Sequence, residues 1–306
     1  MTGVAVGALD GRDPGPRTPD PREVVRDGAG ARARRLGGFL LRRPGLVLSV
    51  LLLALVLVAA FLPGLFTSQD PLAGVPRERL GAPGAEHLFG TDQLGRDLFA
   101  RVVHGAGLSL RATVLAVAVG LVGGSAVGLL AGYLGGWADA ALMRVADVLL
   151  AVPNLLLSMA VVTALGFGTV NVAIAVGLTS VASFARIMRS EVLRVRGAVY
   201  VEAARSSGTR WYAVLLRRVL PNASGPVLVY AAVDFGAVVL QVSALSFLGY
   251  GATPPAPEWG ALVSGGRDYL ATAWWLTTLP GLTIAATVLA ANRISRALDG
   301  ESRLIP

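Results

Sequence analysis

Asp234 is the residue whose position asks most of its surroundings. It lies near the middle of an apolar run, Val227–Leu248, with Gln241 seven residues on and Ser243 two beyond that. Seven residues make about two helical turns, so Asp234 and Gln241 share a face. An ionised carboxylate is costly in hydrocarbon and should face a cavity or a partner. Two readings stay open. Asp234 either lines a translocation path, with Gln241 and Ser243, and favours the amine or cation of a solute, or it is a protonated acid bonded to a neighbouring helix.

Other chemistries are narrowly bounded. His87, Asp92, Asp97 and His104 are metal-ligand types without a recognised spacing, so no metal site is assigned. The chain contains no Cys and no Lys. Disulfides, thiol nucleophiles, Schiff-base lysines and Cys-built zinc sites are therefore excluded, as is a P-loop, whose lysine must reach the terminal phosphates. The apolar runs also lack paired carboxylates, a His-based metal set or a Ser/His pair at helical spacing. No catalytic residue is assigned, and the chain reads as a non-enzyme holding no cofactor of its own.

These residues must be positioned by membrane helices. Of 306 residues 54% are hydrophobic and 15% charged, and mean hydropathy is +0.64, far above a soluble domain of this length. Apolar runs at 46–62, 108–134, 141–165, 170–184, 227–248 and 272–291 give six crossings of an all-α membrane protein. The net charge of +8 is sorted by loop and carries no stacking aromatics, so nucleic acid is not a partner. Between Arg186 and Arg218 eight Arg face only Glu191 and Glu202, whereas in Pro63–Gly107 acids outnumber four Arg. The positive-inside rule then places the Arg-rich segment and both termini in the cytoplasm.

The domain reading follows. Residues 1–38 are a Gly-, Pro- and Arg-rich disordered cytoplasmic tail, and Arg32–Arg43 can sit among anionic lipid headgroups. Residues 39–66 hold the first helix, 67–107 an extracytoplasmic loop, 108–300 a core with a charged loop at about 199–221, and 301–306 a short tail. Thr91 and Asp92 are placed to cap an amphipathic interfacial helix through Leu94 and Leu98. Gly120, Gly124, Gly128, Gly132 and Gly136 form a four-residue stripe suited to close helix packing, as an intrachain interface or a pore lining. Pro153 kinks the third run, as a hinge or a structural bend. Trp274, Trp275 and Tyr269 suit an outer aromatic belt, and Thr253–Pro257 a rigid edge for a docking protein.

In the charged loop, Glu202, Ala203 and Ala204 open a short helix, Gly208 permits a sharp bend, and Trp211–Leu220 form a second helix before Pro221. The order E-A-A, three residues, G, twelve residues, P resembles the coupling motif of ABC importer permeases. The stretches HLFGTDQLGRDLFARVVHGA (87–106), GLLAGYLGGWADAALMRVADVLLAVPNLLL (128–157) and ALSFLGYGATPPAPEWGALVSGGRDYLATAWW (244–275) are similar to the C-type permease of the dipeptide, oligopeptide and nickel family. The resemblance implies the type I importer fold, an inner (plasma) membrane location and a heterodimer with a homologous permease. It implies ATP and Mg on separate cytoplasmic ATPase subunits, an extracytoplasmic solute-binding protein, and a peptide or nickel-complex solute. Carried onto this sequence, Glu202, Ala203, Ala204, Gly208 and Pro221 are the ATPase-coupling residues. One departure stands out: Val242 occupies a position where family members often carry Glu. The rival reading is an ion-coupled secondary transporter with Asp234 as its cation site, but no second copy of the charged loop marks the internal repeat such folds carry.

Overall fold

The computed structural model describes residues 44–302. The chain divides into two units, Met1–Val47 and Leu48–Pro306. Of the first, only Pro44–Val47 are described, as the opening turn of the first helix. The tail at 1–38, the basic run up to Arg43 and the last four residues lie outside the described residues.

The architecture is all-α, as expected. Among the described residues five helices are long and apolar enough to cross a membrane: α1 (Pro44–Phe61), α2 (Leu98–Leu134), α5 (Thr169–Arg196), α7 (Trp211–Phe247) and α9, apolar over Trp275–Ala297 within Trp275–Ser302. A bent pair, α3 (Gly136–Ala151) and α4 (Asn154–Leu165), makes a sixth span if counted as one. The described residues also hold two short α-helices, α6 (Val199–Ser206) and α8 (Trp259–Gly266), and three single 3-10 turns. α1 is apolar all round, exposing Leu48, Leu51, Leu55 and Phe61, which lipid or another membrane chain can cover.

The third apolar run is broken rather than kinked. Pro153 has no N–H and its ring excludes the helical conformation at Val152, which is extended at φ −93° and ψ 133°. The halves meet at 99°. α2 begins ten residues before the expected span, because Asp97 accepts the Ala100 N–H at 2.6 Å and Leu98, Val102 and Val103 bury against Trp259, Trp275 and Leu276.

The interfacial helix expected from Thr91 does not form. Asp92 turns back on its own loop, accepting the N–H groups of Leu94 and Arg96. Leu80 and Thr91 pair by backbone with Asp92 and Gly81, so residues 62–97 are an irregular, internally bonded loop. Trp275 is likewise no belt residue: it is buried, and its indole donates to the Thr91 carbonyl at 3.3 Å. Trp274 remains exposed.

The glycine stripe resolves as an intrachain interface. α2 and α5 make the most extensive helix pair. A Cβ on Gly120 would lie 2.9 Å from Ser180 Cβ, and one on Gly132 2.9 Å from Val192 Cβ. Such contacts are the source of helix association where lipid tails are as apolar as the helix. Gly136 is the exception. It opens α3 with φ +56° and has open space around it.

Candidate functional site

The charged loop is a helical hairpin on an apolar base. α5 runs to Arg196, beyond its expected end, because Met188, Val192 and Val195 continue its buried face. They pack with Val201 of α6 and Val214, Leu215 and Val219 of α7. Its arginines turn outward: Arg189 bonds Asp139 of α3 through two nitrogens, at 2.5 and 2.6 Å, and Arg186 meets Asp147 at 2.6 Å. These pairs hold the bent helix α3 to α5.

In α6 the inward residue is Val201, with Ala204 half-buried, while Glu202, Ala203 and Gly208 are exposed. The helix ends in a Schellman turn. Gly208 N–H bonds Arg205 O at 3.0 Å and Thr209 N–H bonds Ala204 O at 3.2 Å, with Gly208 at φ +75°. That left-handed conformation disfavours any residue with a Cβ, although the space around Gly208 is open.

Pro221 does not separate two helices. α7 is continuous from Trp211 to Phe247, through a π-turn at Leu215–Val219. Leu220 N–H reaches back to Leu215 O, and Asn222 Nδ2 bonds the Arg218 carbonyl at 2.6 Å. The wide turn accommodates a proline whose missing N–H would otherwise interrupt the ladder.

Sequence reasoning missed what ties this hairpin to α2. Tyr133, in the last turn of α2, has the Arg205 guanidinium 4.8 Å from its ring centroid. Its hydroxyl donates to Trp211 O at 3.3 Å, and the two rings lie 6.3 Å apart. One side chain thus links the end of a spanning helix to both arms of the hairpin. Seventy-eight residues separate Tyr133 from Trp211, and no local pattern joins them.

In the membrane part the polar residues do not converge on one point. Asp234 sits beside the Ser180 hydroxyl of α5, and its Oδ2 is buried without a hydrogen-bond partner. Gln241 Nε2 donates to Ser158 Oγ of α4 at 3.2 Å, and Ser158 lies 3.4 Å from Thr179 of α5. Asp234 thus faces α5 and Gln241 faces α4, whose Ser158 in turn meets α5. Ser243 is buried on another side, where Gly260 of α8 packs on its carbonyl. Val242 packs with Val172 and Val176, so the position where the resemblance points to Glu is apolar core here.

Of the four metal-type residues of the 87–104 stretch, His87 and Asp97 bond each other while Asp92 and His104 bond other partners. Asp92 pairs with Arg96 at 2.7 Å, and the His104 ring bonds the Ala100 carbonyl at 2.9 Å. His87 lies between two carboxylates, with Nδ1 2.8 Å from Asp97 Oδ2 and Nε2 3.3 Å from Glu78 Oε2. A neutral imidazole donates from one nitrogen only, so two acceptors favour imidazolium. The Asp97 hydrogen bond above all raises the His87 pKa from 6.5, with burial opposing and Glu78 assisting. A folded pKa above the unfolded value adds stability that is complete below pH 6.5 and lost as pH rises through the folded value. Asp97 also caps α2, so the loop and that cap loosen together. Thermal midpoints of wild type and His87→Gln should differ most near about pH 5.5 and converge as pH rises through the raised His87 value. A constant difference would remove the ion pair from the account.

Long apolar helices, buried polar groups facing helix neighbours and an exposed charged hairpin define a multi-span membrane protein. The chain belongs to the binding-protein-dependent transport system inner membrane component family, which matches residues 124–303. It is an inner-membrane permease of the ABC importer class, and this sets the secondary-transporter reading aside. The dipeptide transport system permease DppC of Alkalihalophilus pseudofirmus is 39% identical over 249 residues, 81% of this chain and 82% of that protein. The di/tripeptide permease DppC of Pseudomonas aeruginosa is 43% identical, covering 68% of this chain and 69% of its own. A glutathione transport system permease, GsiD of Escherichia coli, is 44% identical, with 71% of each chain covered.

Proposed function

We propose that this chain is one of two homologous permeases forming a path for short peptides, driven by separate cytoplasmic ATPase subunits that hold ATP and Mg. An extracytoplasmic binding protein delivers the solute, and both termini lie in the cytoplasm. The observation that carries this reading is the α6–α7 hairpin. Glu202, Ala203 and Gly208 are exposed for contact while Val201, Val214 and Val219 are fully buried against α5. A partner pushing on such an element moves the spans with it. ATP-driven closure of the ATPases would displace the hairpin, and Tyr133 and the unbroken α7 would carry that displacement into the membrane, switching access between the two sides. The peptide solute is supported by the printed functions of the relatives.

Affinity purification of this chain from its host should bring down two ATPase subunits and a homologous permease. Proteoliposomes holding that complex and the binding protein should accumulate dipeptide only with ATP. Accumulation by this chain alone, without nucleotide, would overturn the proposal.

Asp234, Gln241 and Ser243 belong to the path in this reading, with Asp234 selecting for cationic groups. Asp234→Asn should leave assembly intact and reduce uptake of peptides with a free amino terminus several-fold relative to N-acetylated ones. An unchanged preference would leave Asp234 a purely internal group.

A further inference from the structure

We propose that the cavity between the 71–101 segment and the 249–266 segment is a holding site for the carboxylate end of a short peptide. This rests on the peptide-import reading above and specifies which end of the solute this chain meets before the path. The cavity measures about 360 Å³ and is lined by Asp92, Arg96 and Arg101 on one side and by residues of the proline-rich loop and α8 on the other. Its size lies at the lower end of small-molecule sites, roughly 300–1,000 Å³.

Its charge does not balance. Asp92, the one carboxylate in the lining, is saturated: Oδ1 accepts from the N–H groups of Leu94 (2.8 Å) and Arg96 (3.0 Å), and Oδ2 from Arg96 Nε (2.7 Å). Two guanidinium groups share it. Arg96 is 8% exposed and Arg101 5%. Arg101 Nη1 donates to Pro71 O at 2.9 Å and Nη2 to Pro255 O at 3.4 Å. Its Nε is buried without a hydrogen-bond partner, 3.6 Å from Asp92 Oδ2. The terminal nitrogens of Arg96 bond no described residue. Glu258, the other carboxylate of the region, is outside the lining, its oxygens engaged by Ser246 (2.7 Å), Ala252 N–H (2.6 Å) and Thr169 (3.3 Å).

The lining residues themselves therefore carry one surplus positive charge, with an unpaired donor buried at Arg101 Nε and further unpaired donors at the terminal nitrogens of Arg96. A buried guanidinium with free N–H groups calls for an anion, and the planar fork suits a carboxylate. One surplus charge matches one carboxylate rather than a phosphate dianion. The carbonyls of Pro71 and Pro255 fix the Arg101 plane beforehand, which lowers the ordering cost of binding.

The test uses the assembled permease–ATPase complex in nanodiscs without its binding protein, titrated calorimetrically with alanyl-alanine and with its C-terminal amide. The dipeptide should bind and the amide should bind at least about tenfold more weakly. Arg96→Gln should weaken the dipeptide by a similar factor. Because Arg96 also holds Asp92, Ala261→Phe is the second variant: it adds bulk to the lining while leaving both arginines in the sequence, and should abolish binding. Equal affinity for dipeptide and amide would overturn the site, as would no binding by the wild-type complex. So would an Arg96→Gln complex that binds dipeptide normally and loses only its affinity for the binding protein, which would make an acidic side chain of that protein the occupant. The same complex, supplied with its binding protein, is assayed for uptake. Uptake with a blank titration removes the site and leaves the transport function standing; absent uptake counts against the transport function itself, while the titration still decides the site.

Discussion

Gly124→Leu should yield little folded protein in the membrane. A Cβ at this position would lie 2.6 Å from the Val181 carbonyl oxygen and 3.0 Å from the Ala185 backbone nitrogen, besides meeting Phe184 Cβ. Two of those atoms are α5 backbone, so no rotamer change relieves the contact and α2 must move off α5. Overpacking costs typically about 1–3 kcal/mol where side chains can adjust, and here the obstacle is a helix. Lipid gives back no hydrophobic gain for a looser pair. Gly123→Leu is the matched control, since its Cβ would meet only Val181 Cγ2 at 3.1 Å. Membrane abundance and thermal midpoint of the detergent-extracted proteins are the measurements. Equal values for wild type and Gly124→Leu would show that the α2–α5 contact is looser than described.

A different loss is expected at Gly208. No atom lies near enough to clash with a new side chain there, so Gly208→Val should insert and accumulate as wild type does. Its cost is conformational. At φ +75° a β-branched residue pays roughly 1–2 kcal/mol, enough to undo a short Schellman turn and swing α6 away from α7. If that hairpin is the socket for the ATPases, uptake should fall at least about tenfold while the ATPases keep hydrolysing, uncoupled from transport. Asn tolerates the left-handed region, so Gly208→Asn should retain much of the uptake. Wild-type transport by the valine variant would remove Gly208 from the coupling element.

These two glycines also show how far the sequence could be read. The four-residue stripe and the Gly208 bend are local patterns, and both reappear in the structure, as the α2–α5 contact and a left-handed turn. The break at Pro153 was legible as a proline in an apolar run; its 99° angle was not, because it depends on how α3 is held to α5 by Arg189 and Asp139. The segment 87–98 pointed to Thr91 and Asp92 as caps. The cap is Asp97 instead, set by the burial of Leu98 and Val102 against Trp259 and Trp275. Arginines between 186 and 196 suggested a loop, yet the apolar residues among them keep helical spacing and bury, so the charges decorate a helix. The Tyr133 link and the Arg96–Asp92–Arg101 set join segments far apart in sequence or depend on burial that no window reveals.

The π-turn at Leu215–Val219 has one more result. A single surplus residue in a continuous helix turns everything after it by about 100° about the axis. The wide turn thus acts as a phase offset between two ends of one rod, so that Trp211 and the Asp234 carboxyl look in directions relative to each other that a regular α-helix would not give them.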